Sequence, residues 1–318
     1  MKPKIAFFWC ASCGGCEEAV VDLNEGILDV VEAVDIVFWP VALDFKFSDV
    51  EKMADNEIAV SFINGAVRLT EEEEIVKLLR KKSGLVVAFG SCSHLGGIPG
   101  LANFFNRDEI IKRAYEEVPS LENGKKTLPQ TECEVDGKKL TNSEFYEEVL
   151  PLDKVIDVDY YLPGCAPPPD LIVNAVNAIL KGELPEKGSV LAPDKALCDE
   201  CEREKPEKIK IKGVKRPHLT EMDPKKCFLE YGIICMGPAT RSGCGTRCIN
   251  ANMPCRGCFG PAKGVKDLGA GMLSAFASII DSEDEKEIEE IVNTIYDVGG
   301  TFYRFSLPSS TIPKKREK

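Results

Sequence analysis

The chain has 318 residues, of which 44% are hydrophobic, and it carries a formal net charge of −12. This length suits two domains better than one, and the composition predicts a folded chain with a sizeable core. The acidic balance, without a long basic block, argues against nucleic acid as a partner, because phosphate binding needs clustered positive charge. No segment reaches the roughly 18 consecutive apolar residues that a membrane helix needs.

Cysteine is the most informative residue type, because the chain has 14 cysteines and only two histidines. A strand pattern begins at about Ile5, which leaves no room for a secretory leader, and we therefore expect a cytoplasmic protein. Cytosolic thiols stay reduced, so the cysteines are expected to bind metal or iron–sulfur clusters rather than to form disulfides. With so few imidazoles, sulfur would hold any metal.

Strand-like and helix-like patterns alternate along the first half of the chain. Apolar runs typical of buried parallel strands occur at residues 4–9, 34–39, 57–63 and 85–89, and another occurs at 155–162 after a polar excursion over 119–150. Helical spacing or helix-start signals occur at 17–31, 70–82, 108–117 and 170–180. This alternation predicts an α/β domain with an open parallel sheet.

Four cysteines fall directly after three of these predicted strands. Cys13 and Cys16 follow the first strand in a Cys-x-x-Cys turn that contains two glycines, Cys92 follows the fourth strand, and Cys165 follows the fifth. Open parallel sheets bind ligands at the carboxyl ends of their strands. We therefore expect these four cysteines to meet and to hold one iron–sulfur cluster. The competing interpretation treats them as small buried hydrophobic residues, a common use of cysteine.

Two cysteines and one histidine of this half stand outside that pattern. Cys10 ends the first strand and is interpreted as a packed thiol or a neighbour of the site, whereas Cys133 lies in the polar excursion and is expected to bind nothing. For His94, a hydrogen bond to a cluster sulfur and a local role in its loop both stay open. No dinucleotide or phosphate-binding glycine motif follows a predicted strand, which argues against a nucleotide or flavin site.

The second half is expected to form a smaller, irregular, cysteine-rich domain. The stretch 182–193, punctuated by glycine and proline, predicts a boundary that divides the chain into residues 1–185 and 186–318. Regular periodicity then largely disappears, apart from an apolar run at 272–280 and an amphipathic helix pattern at 283–298 that Gly299 and Gly300 should stop. Bound metal groups can stabilise a segment with so little core of its own.

Eight cysteines of this half contain two Cys-x-x-Cys pairs, each with two further cysteines nearby, and they predict two four-cysteine sites. The simplest division groups Cys198, Cys201, Cys227 and Cys235 in one site and Cys244, Cys248, Cys255 and Cys258 in the other. Spacing alone leaves this division open, because iron–sulfur proteins can interleave their ligands. Structural zinc uses similar motifs, so a zinc-stabilised interaction module is the alternative from another functional class.

Over nearly its whole length, the sequence resembles the small subunit of a nickel–iron hydrogenase. The resemblance rests on the motifs Cys13-Gly-Gly-Cys16-Glu17, Gly90-Ser-Cys92 with Gly96-Gly97, Pro163-Gly164-Cys165, and Cys227-Phe-Leu-Glu-Tyr-Gly-Ile-Ile-Cys235-Met-Gly-Pro. It implies a flavodoxin-like first domain whose four cysteines hold a proximal cluster. It also implies a distal cluster on the group that begins with Cys198 and a medial cluster on the group that begins with Cys244, which makes three 4Fe–4S clusters.

This resemblance implies an electron-transfer subunit of an oxidoreductase, with no catalytic residue of its own. Electrons from H2 oxidation at the nickel–iron large subunit would pass to a small iron–sulfur acceptor subunit and on toward heterodisulfide reductase. Cys198 stands where many periplasmic relatives have histidine, and Cys248 supplies a thiol that they often lack. The sequence is therefore most similar to methanogen hydrogenases that do not reduce the deazaflavin coenzyme.

Two related family assignments are less favoured than this one. The small subunit of a deazaflavin-reducing hydrogenase is the close alternative. A quinone-reductase subunit of the same fold is less favoured, because such subunits use adjacent cysteines in the first site and lack the two additional cluster sites.

Overall fold

A five-stranded parallel sheet forms the centre of the first half of the protein. The computed structural model describes residues 2–312. Its strands are β1 (Lys4–Trp9), β2 (Asp35–Phe38), β3 (Ile58–Asn64), β4 (Val67–Leu69), β5 (Ser83–Phe89), β6 (Glu132–Val135), β7 (Lys138–Thr141), β8 (Phe145–Leu150) and β9 (Tyr160–Leu162). The central sheet has the order β2-β1-β3-β5-β9, and every neighbouring pair is parallel. This is the strand order of flavodoxin-like folds, and the predicted fold class is confirmed.

Helices connect the strands and recur through the cysteine-rich second half. They are α1 (Gly15–Val21), α2 (Gly26–Ala33), α3 (Phe47–Lys52), α4 (Thr70–Lys82), α5 (Ser91–Leu95), α6 (Arg107–Lys112), α7 (Pro169–Lys181), α8 (Leu197–Glu200), α9 (Arg247–Asn250), α10 (Leu268–Ala277), α11 (Glu285–Asn293) and α12 (Val298–Phe302). Short 3-10 turns lie at Ile98–Phe104, Leu152–Lys154, Pro217–Leu219, Phe228–Tyr231 and Leu307–Ser309, and a π turn lies at Arg113–Glu117. Within residues 2–312, no helix combines the length and apolar character needed to span a membrane.

Both faces of the central sheet are buried, which explains the continuous apolar runs of its strands. On one face, Phe8 and Ile63 pack with Leu79 of α4. On the other face, Phe62 packs in a cluster that includes Ile172 of α7. A separate apolar cluster, drawn from residues between 197 and 307, supports the cysteine-rich half.

The structure divides or shortens two of the predicted elements in the first half. The helix predicted at 17–31 is two helices, because Asn24 between them has a φ of +52° and interrupts the helical backbone. The strand predicted at 155–162 is β9 alone. Before it, a 3-10 turn occupies residues 152–154, and the Asp159 carboxylate accepts a hydrogen bond from the backbone N–H of Val86 at 2.8 Å.

The last predicted helix also differs. It ends at Asn293 rather than at residue 298, and Gly299 and Gly300 lie inside the next helix, α12, instead of stopping one. Asp297 starts α12 by accepting a hydrogen bond from the N–H of Gly300 at 2.8 Å. An aspartate cap of this kind is enough to begin a new helix at glycines.

Candidate functional site

The first candidate site lies where the parallel strands end. Because β1, β5 and β9 run in the same direction, their carboxyl ends meet at one edge of the sheet. Cys13 lies in the loop between β1 and α1, Cys92 lies in α5 directly after β5, and Cys165 lies in the loop between β9 and α7. The N–H of Ser91 donates to the carbonyl of Gly164 at 2.8 Å, which ties the last two of these segments together.

The four cysteines at this edge are close enough to affect one another's pKa. They are called the first set here: Cys13, Cys16, Cys92 and Cys165. Burial raises the pKa of Cys16 far above its ordinary value, and negative charge on the other three thiols raises it further. Burial likewise raises the pKa of Cys92 to about 12, with contributions from Cys165 and Cys13. Cys16 and Cys92 are buried, whereas Cys13 and Cys165 are exposed. Neighbouring thiols that oppose one another's ionisation favour a compensating positive charge, which a bound metal group supplies.

Two glycines bring the backbone against the sulfurs of this set. Gly90 has a φ of +88°, and a Cβ added there would lie well within 3.0 Å of the Cys16 sulfur. Gly97 has a φ of +59°, and its added Cβ would lie equally close to the Cys92 sulfur. Only glycine tolerates both the backbone conformation and this approach, which explains the Gly90-Ser-Cys92 and Gly96-Gly97 motifs.

A buried carboxylate next to Cys16 went unassigned in the sequence analysis. Glu17 is only 4% exposed and accepts hydrogen bonds from the indole of Trp39 at 2.5 Å and from the amide of Asn64 at 2.9 Å. Burial raises the pKa of Glu17, although both hydrogen bonds oppose this shift. These bonds attach the start of α1 to the ends of neighbouring strands and thereby fix the position of Cys16.

The second set consists of Cys244, Cys248, Cys255 and Cys258. Burial raises the pKa of Cys258 to about 12, and nearby Cys165, Cys244 and Cys248 add to this shift. The Ser91 hydroxyl, next to Cys92, donates a hydrogen bond to the Cys258 carbonyl, and the backbone of Cys165 lowers the pKa of the Cys258 thiol, so the second set lies against the first. Burial also raises the pKa of Cys255, with contributions from Cys235 and Cys258.

The third set consists of Cys198, Cys201, Cys227 and Cys235. Burial raises the pKa of Cys198 to about 12, and the other three thiols all contribute. The N–H of Cys255 donates to the Cys235 sulfur at 3.3 Å, which joins the third set to the second. The second set therefore contacts the third set through this hydrogen bond and contacts the loop of the first set through the Cys258 carbonyl.

The chemistry of these donors can be compared with the groups that they might hold. Each set offers four thiols and no imidazole, which suits an iron–sulfur cluster. Gly90 and Gly97 have no side chain that would overlap the sulfurs of Cys16 and Cys92. Among residues 2–312, no three His, Cys, Asp or Glu side chains converge in an arrangement for a single metal ion. The residues present thus fit four-thiolate clusters.

The remaining residues singled out in the sequence lie outside the three sets. Cys10 is packed in the apolar cluster on one face of the sheet, and burial raises its pKa. Cys133 is exposed on β6, in a hairpin with β7. His94 is half-buried and packs against the ring of Tyr161, at 4.6 Å between ring centroids, and its Nδ1 has no hydrogen-bond partner among the described residues.

A buried arginine between the second and third sets was missed by the sequence analysis. Arg203 is 7% exposed, and its guanidinium lies 3.9 Å from the centroid of the Phe228 ring. It donates to the carbonyls of Lys226 at 2.8 Å and Ile249 at 3.2 Å, next in sequence to Cys227 and Cys248. No motif marks this residue, because its contacts come from distant parts of the chain.

The chain is similar to known proteins over most of its length. Residues 13–179 match the family model described as NADH ubiquinone oxidoreductase, 20 Kd subunit. The iron–sulfur subunit of the F420-non-reducing hydrogenase of Archaeoglobus profundus is 40% identical, covering 99% of this chain and 99% of its own. The corresponding subunit of the F420-non-reducing hydrogenase of Methanothermobacter thermautotrophicus is 38% identical, covering 100% and 98%.

A solved structure gives the same result at the level of the fold. Recombinant NiFeSe hydrogenase from Desulfovibrio vulgaris Hildenborough, in the oxidized state, aligns with a TM-score of 0.52 at 18% identity. The alignment covers 83% of this chain and 95% of that one, so it extends beyond the parallel sheet into the cysteine-rich half.

Proposed function

The chain belongs to the family of iron–sulfur subunits of the F420-non-reducing hydrogenases, and on this premise we propose that it carries electrons through three 4Fe–4S clusters. The proximal cluster would bind the first set (Cys13, Cys16, Cys92 and Cys165), the medial cluster the second set (Cys244, Cys248, Cys255 and Cys258), and the distal cluster the third set (Cys198, Cys201, Cys227 and Cys235). When bound, such clusters supply one-electron carriers.

The observation that carries this proposal is the contact of the second set with both of the others. The Ser91 hydroxyl, next to Cys92 of the first set, donates to the carbonyl of Cys258, and the N–H of Cys255 donates to the sulfur of Cys235 in the third set. Electrons from H2 oxidation on the nickel–iron large subunit would enter at the first set and leave from the third. The acceptor would be a small iron–sulfur subunit that passes electrons toward heterodisulfide reductase.

The chain itself holds and tunes these carriers. A backbone N–H group donates to one of the proposed ligand sulfurs, as Cys255 does to Cys235 at 3.3 Å. Such donors stabilise the more negative, reduced state and raise the reduction potential. The names of the relatives, which describe hydrogenases that do not reduce F420, support this assignment over the deazaflavin-reducing alternative.

We also propose that the protein is cytoplasmic and has two domains, residues 1–185 and 186–318. The division is supported by the apolar clusters, because one cluster is drawn wholly from residues beyond 196. The contacts at Cys258 would then hold the two domains together. No membrane or nucleic acid partner is included.

Metal analysis of anaerobically prepared protein tests this proposal. Three clusters of four irons predict about twelve irons per chain and a brown visible absorption band. Mostly zinc, without visible absorption, would favour the zinc-stabilised interaction module. About four irons per chain would overturn the three-cluster proposal but would still allow one cluster in the first set.

A further inference from the structure

A pocket of about 320 Å³ in the cysteine-rich half collects basic side chains on an otherwise acidic protein. Lys215, Arg216, Arg256 and Arg304 all line it, together with a single carboxylate, Asp297. Asp297 caps α12 through the N–H of Gly300, so its charge already serves the helix start. The pocket therefore has an excess of positive charge.

The cations of this pocket lack partners of opposite charge. Within residues 2–312, none of the four forms an ion pair with a carboxylate at 4.0 Å or less. Arg256 is half-buried, and Arg304 lines the same pocket. Two guanidinium groups that face one cavity repel each other, and an anion between them would relieve this repulsion.

The pocket also lies beside the second and third sets. Ile234, which lines it, directly precedes Cys235, and Arg256 directly follows Cys255. A molecule bound here would therefore lie next to the end of the proposed electron path.

The rim of the pocket has the character of a protein interface. Tyr296 is 85% exposed, and the Arg216 guanidinium stacks on its ring at 3.9 Å from the centroid. Tyrosine and arginine are enriched at the energetic centres of protein interfaces. A free inorganic ion would make no use of this exposed aromatic ring.

We propose that this pocket receives a carboxylate side chain from an acidic segment of the protein electron acceptor and so docks the acceptor beside the third set. The docking rests on the proposed electron-transfer function. Bidentate contacts between arginine and carboxylate would fix the orientation of the acceptor, and long-range attraction to the basic pocket would speed its approach.

The test measures binding of a short, end-blocked glutamate peptide to the full, anaerobically prepared chain, with a glutamine peptide of the same length and inorganic phosphate as comparison probes. We expect the glutamate peptide to bind in a salt-sensitive manner and the glutamine peptide not to bind. Arg216→Gln and Arg256→Gln should each weaken binding roughly tenfold. Lys208→Gln removes an exposed cation outside the pocket and should leave binding unchanged.

Each other outcome overturns the docking proposal. Peptide binding that neither pocket variant weakens would mean a general charge effect, and binding of phosphate but not of peptide would make this a small-anion site. Arg216 is exposed, so its variant keeps the test valid even if Arg256→Gln unfolds. Iron content is measured on the same samples: about twelve irons without peptide binding refutes the docking alone, whereas zinc in place of iron refutes the electron-transfer function.

Discussion

Replacing Gly90 with alanine would test the first set where backbone and sulfur come closest. Gly90 has φ +88° and ψ 169°, a conformation open almost only to glycine, and an added Cβ would come within 3.0 Å of the Cys16 sulfur. The backbone strain alone costs roughly 1–3 kcal/mol. The overlap adds to this cost, because Cys16 is buried and its sulfur can move away only by leaving the site.

Gly188 offers a matched control. It has the same φ of +88°, but an added Cβ would meet nothing within 4 Å. Gly188→Ala should therefore lose roughly 1–3 kcal/mol of unfolding free energy and keep about twelve irons. Gly90→Ala should lose more stability and also the four irons of the proximal cluster, which leaves about eight.

The assay combines iron per chain, electron paramagnetic resonance and denaturant unfolding on both variants. The difference between the two variants isolates the overlap with Cys16 from the backbone strain. If Gly90→Ala retained about twelve irons and the stability of Gly188→Ala, close approach to the sulfur would not be the reason for glycine at this position.

Three further predictions concern other parts of the molecule. Cys248→Pro removes a thiol in the first turn of α9, where proline is tolerated, and should convert the medial cluster toward a three-iron form; an unchanged electron paramagnetic resonance spectrum would contradict the ligand assignment. Arg203→Met leaves buried carbonyls without donors and should cost roughly 2–4 kcal/mol in denaturant unfolding, and a loss below about 1 kcal/mol would refute a structural role. Burial favours a raised pKa for Asp159, but hydrogen bonds from Lys187 and Arg80 hold that pKa below its ordinary value. The Asp159 carboxylate thus stabilises the fold fully above about pH 5 and loses this effect as the pH falls through its folded pKa. The difference in unfolding free energy between wild type and Asp159→Asn should therefore shrink in acid. A constant difference from about pH 6 to 3 would disprove this.

The strands of the sheet could be predicted because buried parallel strands are apolar on both faces. Residues 4–9 match β1 in full, and residues 85–89 lie inside β5. The sequence misled where a local conformation broke a continuous pattern. The apolar stripe over 17–31 continues past Asn24, although the left-handed backbone of that residue ends the helix.

The grouping of the cysteines was predictable to the extent that topology decides it. Residues that follow parallel strands meet at one edge of the sheet, whereas spacing alone left the division of the other eight cysteines open, and that division stays a prediction. The basic pocket could not be predicted, because Arg216, Arg256 and Arg304 are far apart in sequence. A net charge of −12 also conceals a local excess of positive charge.

The contacts of Cys258 with the first half have a consequence for maturation of the protein. The Ser91 hydroxyl donates to the Cys258 carbonyl, and the backbone of Cys165 lowers the pKa of the Cys258 thiol. A fragment that began at residue 186 would contain every thiol of the second set but neither Ser91 nor Cys165. If the second set holds the proposed medial cluster, the first half of the chain helps to shape a site whose ligands all belong to the second half, and separate expression of the two halves should yield a C-terminal fragment that loads its cofactors poorly.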